Sequence, residues 1–280
     1  TVPRELIVRA MARDAVHVLD EPAFMTGGEV DRFNEEERGK LLVPEDRVVG
    51  IEVLGEARAY PLRLLRWHEV VNDVVSGEPV AVTYSPLCDS VVVFSRRLEG
   101  RLVEIGASGL LYNSNTLLYD RERGPAASPL WTQLGGRPIA GAGAAAAAPL
   151  EVLPATLTTW ESWRTNNPQS PVLAPVEGMQ RLYRRDPYHS YFGSEMLRFP
   201  VAPLPAAGPL GLKDRLVVVD VGGRRAAYAL RDLAAAGGGP QGSVELELGG
   251  ARLRLDYRSD IGTAAVAVVG GDGALRSVRY

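Results

Sequence analysis

The sequence predicts a mostly β protein of the α+β class, in which two related β-units from an internal duplication pack into one compact body with short helices. Three observations support this fold class. One segment occurs twice, short apolar runs are separated by tight glycine turns, and part of the second copy alternates apolar and polar residues as a half-exposed strand does.

The repeat joins residues 45–65 to residues 213–233, which align without a gap and are identical at ten of 21 positions. The alignment resumes after a shift of five residues, and it then pairs Gly77, Tyr84 and Val93 with Gly250, Tyr257 and Val266. A spacing of this length indicates a duplicated domain unit and not a solenoid period.

Each copy begins with a predicted hairpin that is followed by a short helix. In the first copy, residues 47–53 and 57–60 read as strands that flank a turn at Leu54 and Gly55. Pro61 then suits the start of a helix, where its missing N–H group costs nothing. The same order of elements is expected in the second copy.

The later strands of the two copies differ in their burial pattern. Residues 244–248 and 252–255 alternate strictly, which predicts strands with one solvent-exposed face. Residues 80–84 and 90–94 are nearly continuous apolar runs, which predicts strands covered on both faces. We therefore expect the first copy to lie deeper in the protein.

These features divide the chain into four segments. Residues 1–44 are expected to be an N-terminal extension that packs on the body, residues 45–135 the first β-unit with the candidate site, and residues 213–280 the second, degenerate β-unit. Residues 136–212 form a Gly/Ala- and Pro-rich connection, with a short helix at 158–165. One compact body is expected because neither β-unit has enough apolar strand to close a core alone.

The composition narrows the classes of function. With 31 Lys and Arg against 34 Asp and Glu, the net charge of −3 does not favour nucleic acid as a partner. No apolar run approaches the roughly 20 residues that span a bilayer, so we expect a soluble protein without a transmembrane segment. A small molecule or a metal ion remains as the expected partner, and the oligomeric state is left open.

The residue types that carry chemistry cluster in the first β-unit. Residues 67–73 contain His68 and Glu69, and residues 84–90 contain Cys88, the single cysteine of the chain. In the second copy, the positions aligned with Cys88, Asp89 and Ser90 hold Ile261, Gly262 and Thr263. The framework residues recur, whereas the reactive types occur in one copy only.

A metal site is the first functional hypothesis. His68 and Cys88 would be ligands, and Glu69, Asp89 or His189 could complete the shell of a zinc or copper ion. The alternative is that His68 is a hydrogen-bonded core residue and Cys88 a small buried one. The spacing does not decide between these two readings, because His68 and Cys88 lie on different predicted elements.

Covalent catalysis is the second hypothesis, and it predicts a hydrolase or a transferase. Cys88 would be the nucleophile, His68 the base, and Glu69 or Asp73 the group that orients the imidazole. The third hypothesis is a non-catalytic binding or scaffold module, in which the polar clusters only satisfy buried backbone groups.

Six polar residues are predicted to bind a ligand: Tyr84, Asp89, Ser90, Tyr112, Asn113 and Asp120. For the stretch 112–115, however, the residue types equally predict a turn whose side chains cap the backbone.

Four stretches of the chain resemble a known family: RAYPLRLLRWHEVVND (58–73), VAVTYSPLCDSVVVF (80–94), GLLYNSNTLLYDRERG (109–124) and LWTQLGG (130–136). They are similar to the bacterial and archaeal family called domain of unknown function 3179, so the resemblance implies little about function. Members commonly read Cys-Pro-Leu-Cys-Gly where this chain has Ser85 to Asp89. A Cys-x-x-Cys redox pair or a two-thiolate metal site is therefore not available within this chain. Many relatives are exported or lipid-anchored, which favours an extracytoplasmic location.

Overall fold

The computed structural model describes residues 1–36, 40–124, 126–204, 208–221, 223–270 and 275–277. The predicted connection (136–212) and the predicted second β-unit (213–280) thus include positions that lie outside the described residues, namely 205–207, 222, 271–274 and 278–280. The chain divides into two compact units, residues 1–204 and residues 205–280, which we call the N-domain and the C-domain.

The N-domain is built mainly from short strands. They are β1 (Ile7–Arg9), β2 (Leu19–Asp20), β3 (Phe24–Met25), β4 (Arg47–Val53), β5 (Glu56–Pro61), β6 (Val70–Val75), β7 (Glu78–Ser85), β8 (Ser90–Ser95), β9 (Arg97–Leu98), β10 (Arg101–Leu102), β11 (Ile105–Tyr112), β12 (Asn115–Asp120), β13 (Pro129–Thr132), β14 (Pro138–Gly141), β15 (Val152–Leu153), β16 (Thr156–Thr159) and β17 (Val172–Leu173).

The helices of the N-domain are short as well. They are α1 (Gly27–Glu36), α2 (Leu62–His68), α3 (Trp160–Asn166), α4 (Gln180–Tyr183) and α5 (His189–Phe192), together with 3-10 turns at Arg4–Leu6 and Pro86–Cys88. The predicted helix at 158–165 is confirmed as α3. It begins after Thr159, whose hydroxyl accepts a hydrogen bond from the backbone N–H of Ser162 at 3.3 Å, as an N-cap residue does.

Within the described residues, the N-domain strands form three five-stranded sheets and one two-stranded ribbon. The sheet orders are β1-β11-β12-β13-β14, β15-β8-β7-β6-β2 and β16-β4-β5-β17-β3, and the ribbon is β10-β9. The prediction of a mostly β fold with short helices is therefore confirmed.

The hairpin at the start of the first β-unit forms as predicted. β4 and β5 pair antiparallel with Val53 opposite Glu56, which leaves Leu54 and Gly55 as a two-residue turn with positive φ at both positions. The backbone then turns at Pro61, and α2 buries Leu62, Leu64 and Leu65 against the sheet.

The central sheet β15-β8-β7-β6-β2 is covered on both faces, as the continuous apolar runs predict. Along β7, Val80 and Val82 belong to one hydrophobic cluster with α2, whereas the intervening Ala81 belongs to a second cluster with Phe94 and Trp131. Because successive strand residues point to opposite faces, the two clusters lie on either side of β7.

Gly50 lies in the middle of β4 and is required by close packing, not by a turn. A Cβ atom at this position would lie 2.0 Å from the ring of the buried Trp163 on α3. The absent side chain therefore lets α3 approach the strand.

The segments predicted as extension and connection take part in the sheets. β1 to β3 come from residues 1–44, and β14 to β17 come from residues 136–212. β17 pairs with β3 and with β5 in the same sheet. β14 pairs with the nearby β13. The other short strands obtain their hydrogen-bond partners from distant parts of the chain, so no local pattern marks them.

The C-domain contains β18 (Leu216–Val221), β19 (Arg224–Ala229), α6 (Leu230–Gly237), β20 (Gln241–Leu248), β21 (Ala251–Arg258), β22 (Thr263–Val269) and β23 (Leu275–Ser277). β18 and β19 form a hairpin, and β20 to β23 form a four-stranded sheet in sequence order. Burial alternates along β20 and β21, so the prediction of strands with one exposed face is confirmed.

The C-domain has a hydrophobic cluster of its own, centred on Leu230, Leu233, Leu253, Leu255 and Tyr257. The expectation that neither β-unit closes a core alone is therefore wrong for the C-domain, because α6 covers one face of its sheet. The chain divides into two compact units. Among the described residues, no helix is long and apolar enough to cross a membrane.

Candidate functional site

His68, the last residue of α2, is fully buried and has a partner on each ring nitrogen. Nδ1 lies 2.6 Å from the backbone carbonyl of His17, and Nε2 lies 2.7 Å from the hydroxyl of Tyr183. Because a carbonyl can only accept, Nδ1 carries the proton, and Nε2 of the neutral ring accepts the Tyr183 O–H. Burial lowers the pKa of His68 below its ordinary value, against the opposing effect of the His17 carbonyl.

Cys88 ends the 3-10 turn between β7 and β8, and its residue surface is exposed. Its thiol donates to the backbone carbonyl of Ser114 at 3.3 Å, and the side-chain amide of Asn115 lies 3.8 Å from the sulfur. Enough protein surrounds the sulfur that burial raises the pKa of the thiol. A raised pKa leaves less thiolate at neutral pH, which is the opposite of an activated nucleophile.

The structure does not support the metal hypothesis. In the described part of the chain, no three His, Cys, Asp or Glu side chains lie close enough together to hold a metal ion. Both nitrogens of His68 are engaged elsewhere, and His189 is exposed at the start of α5. The physical reason is that α2 directs the imidazole into the core, while the thiol lies on a surface turn.

The pairing required for covalent catalysis is also missing from the described contacts. The His68 imidazole and the Cys88 thiol share no hydrogen bond there, because each is bonded to other groups. Asp73 does not orient the imidazole either, since its carboxylate accepts from Arg58 and from the hydroxyl of Tyr60.

The state of Cys88 can be checked by alkylation. We expect the rate of modification by iodoacetamide to rise with pH and to reach half of its maximum at a higher pH than for N-acetylcysteine amide in the same buffer, because burial raises the thiol pKa. Cys88→Ala serves as the control for modification elsewhere. An inflection below that of the free thiol would restore Cys88 as a candidate nucleophile.

Three of the predicted ligand residues are held by contacts within the fold. The hydroxyl of Tyr84 donates to Asp89 at 2.8 Å, and Asp89 also accepts from Arg47 at 2.9 Å. The hydroxyl of Ser90 donates to the fully buried Gln133 at 2.8 Å. These side chains fix the turn between β7 and β8 on its neighbours.

The other three predicted ligand residues, Asn113, Asp120 and Tyr112, also lie within the contacts of the fold. Asn113 lies in the turn between β11 and β12, and its side-chain amide bonds the backbone N–H and carbonyl of Ala202. Asp120 is fully buried and pairs with Arg101 at 2.6 Å. Tyr112 is partly buried at the end of β11, opposite Asn115. The turn predicted at 112–115 is present, and Asn113 connects it to a distant segment.

Glu69 differs from these residues because two unfavourable features meet in it. It follows α2 as the C-cap residue and has a φ of 55°, in a region where a side chain is strained and glycine is the usual residue. Its side chain is buried, and its carboxylate accepts one side-chain hydrogen bond, from the hydroxyl of Thr116 at 3.2 Å. Burial raises the pKa of Glu69 to about 7.

Glu69 lines a cavity of about 220 Å³ in the N-domain. The cavity lies among residues 10–16, the turn at Pro86 and Leu87, β11, and residues 188–199. Its lining is mostly apolar, and the exceptions are Glu69, Thr116, Tyr188 and Arg198. A largely apolar cavity with a few polar groups is the usual form of a small-molecule site.

Thr116, Tyr188 and Arg198 are site residues that the sequence does not reveal. Tyr188 follows Pro187 in what reads as a plain turn, and Arg198 is one of many arginines. In the structure, the Arg198 guanidinium lies 5.7 Å from the centre of the Tyr188 ring and 5.4 Å from that of Tyr191. Burial, together with the nearby Glu69, raises the pKa of Tyr188 to about 12. Thr116, Tyr188 and Arg198 line the cavity only because the tertiary fold brings them together.

Comparison with known proteins gives a family and no further relative. A search of the curated proteins found no match, and a search of the solved structures found none either. The model of one family, described as protein of unknown function (DUF3179), matches residues 13–275 of the 280-residue chain. The chain therefore belongs to the DUF3179 family.

Proposed function

We propose that the N-domain is a binding module for a small, largely apolar molecule that carries one hydrogen-bonding group, and that this molecule occupies the cavity beside Glu69. The observation that carries the proposal is the coincidence of two unfavourable features at Glu69. A buried carboxyl and a positive φ both cost stability, and they occur at one residue that lines a cavity. Costs of this kind concentrate at functional sites.

The size of the cavity sets the size of the ligand. A volume of about 220 Å³ corresponds to roughly seven water molecules at ~30 Å³ each. A single ring with a short substituent fits this volume. The apolar lining, which includes Val16, Leu87 and Leu111, favours a hydrocarbon body.

The polar groups define what the ligand must offer. With a pKa of about 7, the Glu69 carboxyl is present at neutral pH both as an acid that donates and as a carboxylate that accepts. The hydroxyl of Tyr188, with a pKa of about 12, keeps its proton at neutral pH and can donate. A hydroxyl on the ligand can therefore bond to either group, and an ammonium can donate to the Glu69 carboxylate.

We further infer that the two domains descend from one duplicated β-unit. The aligned positions hold the same places in the hairpins: Val53 opposite Glu56 and Val221 opposite Arg224, Val75 opposite Glu78 and Leu248 opposite Ala251, Ser85 opposite Ser90 and Arg258 opposite Thr263. The aligned ion pairs Arg63–Asp46 and Arg231–Asp214 also recur. These correspondences support the repeat found in the sequence.

The comparison of the two copies supports the role of Glu69. The C-cap residue of α6 is Gly238, with a φ of 78°, whereas the C-cap residue of α2 is Glu69. Glycine adopts this conformation without steric strain. The C-domain thus has an unstrained glycine at the end of its helix. In the N-domain, the same place is held by Glu69, which is strained, ionisable and beside the cavity.

Binding of benzyl alcohol tests the proposal. We expect saturable binding to the full chain by ligand-observed NMR, with a dissociation constant of about 1 mM, because so few ligand atoms contribute. Ala10→Phe places a ring in the cavity and is expected to weaken binding about tenfold. Ala15→Phe is the matched control, since Ala15 is exposed and does not line the cavity.

Two outcomes would contradict the proposal. One is the absence of saturable binding of benzyl alcohol, benzylamine and benzoate up to about 10 mM, a range that covers weak ligands of this size. The other is equal binding by the Ala10→Phe and Ala15→Phe variants, which would locate the ligand outside the cavity.

A further inference from the structure

A second concave site lies elsewhere in the N-domain, on the side of α2 that carries Arg63 and Arg66. It is a cleft of about 300 Å³ formed by the start of β4, by α2 and by the residues after α4. Five arginines and three carboxylates line it, and we call it the arginine cleft. Its arginines are Arg47, Arg63, Arg66, Arg184 and Arg185.

Three of these arginines are held by ion pairs that fix their position. Arg63 pairs with Asp46 at 2.8 Å, and Arg66 pairs with Asp186 at 2.8 Å. Arg47 pairs with Asp89 at 2.9 Å through its Nη1 atom. The guanidinium groups are thus pre-organised, so a ligand loses little entropy in ordering them.

The ion pairs leave donors unused. Nε and Nη2 of Arg47 and Nε of Arg66 are buried and have no hydrogen-bond partner among the described residues. Nε and Nη2 form one edge of a guanidinium, which is the fork that binds two oxygens of an oxyanion. A buried donor without an acceptor costs free energy, and a ligand oxygen that displaces the atoms covering the donor would remove that cost.

Arg184 and Arg185 add charge that no acid in the described chain neutralises. Both are exposed at the end of α4, and neither has an ion-pair partner among the described residues. Glu45, the one carboxylate of the cleft outside the ion pairs above, is exposed as well. The cleft therefore carries an excess of positive charge.

We propose that the arginine cleft binds the phosphate group of a small molecule. Guanidinium groups reach the cleft from three elements, and a tetrahedral phosphate presents oxygens in several directions, whereas a carboxylate presents two in one plane. A volume of about 300 Å³ exceeds that of a phosphate ion and leaves room for the body of a small ligand. This site is independent of the cavity beside Glu69.

Calorimetric titration of the full chain with phenyl phosphate and with inorganic phosphate, at constant ionic strength set by chloride, tests the proposal. We expect saturable binding of both probes, with phenyl phosphate the tighter. Arg185→Ala should weaken phenyl phosphate binding about tenfold, the loss of one charge-assisted contact. Arg181→Ala, which removes an exposed arginine outside the cleft, should leave it unchanged.

The Arg47→Lys variant tests the Nε–Nη2 edge of the guanidinium separately from its positive charge. It retains a cation beside Asp89 but removes the Nε–Nη2 edge, and it should weaken phenyl phosphate binding while circular dichroism shows the native fold. Equal losses in the Arg185→Ala and Arg181→Ala variants, or no saturable binding by the native chain, would overturn the proposal. Equal affinity for the two probes would overturn the assignment to a small-molecule phosphate and leave a site for inorganic phosphate.

Discussion

Glu69→Gln is expected to raise the free energy of unfolding at pH 8 by about 3 kcal/mol, because it removes a buried charge that burial disfavours. In the folded protein the pKa of Glu69 is raised from 4.5 to about 7 by burial, which outweighs the opposing hydrogen bond from Thr116. Each unit of such a shift corresponds to about 1.4 kcal/mol.

The sign of the pH dependence follows from proton binding. Between pH 4.5 and about 7 the folded protein keeps the Glu69 proton while the unfolded chain releases it. The contribution of Glu69 to stability is therefore complete below pH 4.5, is lost as the pH rises through this window, and is constant above it. The Glu69→Gln variant has no such group and should lose this part of the pH dependence.

Urea denaturation of the native chain and of Glu69→Gln at pH 5 and pH 8 measures the effect. Glu52→Gln is the matched control, because Glu52 is exposed on β4 and has no partner among the described contacts. The prediction fails if Glu69→Gln and the native chain lose the same stability between the two pH values. A gain of stability at a cavity residue would mean that this position is not optimised for folding.

The sequence predicts those elements that local chemistry determines. The turn at Leu54 and Gly55, the helix after Pro61 and the cap at Thr159 each depend on a few neighbouring residues. The alternation along β20 and β21 likewise needs only one exposed face. β15 and β17, at two residues each, form only because other strands offer them hydrogen bonds, so the sequence around them reads as loop.

The candidate site is less predictable for a related reason. His68 and Glu69 are neighbours in the sequence, but the positive φ at the end of α2 sends the chain in a new direction between them. His68 bonds Tyr183 in the core, whereas Glu69 accepts from Thr116 beside the cavity. Residue types alone identify both as candidates for chemistry, and only the tertiary fold separates the structural one from the one at a cavity.

Asp73→Ala is expected to destabilise the N-domain by about 3–5 kcal/mol, the cost of removing one partner of a buried ion pair. The side chain of Asp73 is 6% exposed and accepts from Arg58 at 2.7 Å and from the hydroxyl of Tyr60 at 2.6 Å. Burial raises the pKa of Tyr60 well above its ordinary value, so its hydroxyl keeps its proton and needs an acceptor. Without Asp73, the hydroxyl of the fully buried Tyr60 loses the carboxylate to which it donates in the structure.

Glu78→Ala is the control for Asp73→Ala, because it breaks an exposed ion pair between Glu78 and Arg97. The Glu78 side chain is 45% exposed and the Arg97 side chain is 61% exposed. An exposed pair of this kind contributes at most about 1 kcal/mol, since solvent screens it. Thermal unfolding should therefore show a melting temperature lowered by about 10 °C for Asp73→Ala and by a few degrees at most for Glu78→Ala. Similar shifts in both variants would mean that burial does not strengthen the Asp73 contacts.

If Asp73 is structural, the folded fraction of the Asp73→Ala variant should still bind benzyl alcohol with unchanged affinity, because Asp73 does not line the cavity beside Glu69.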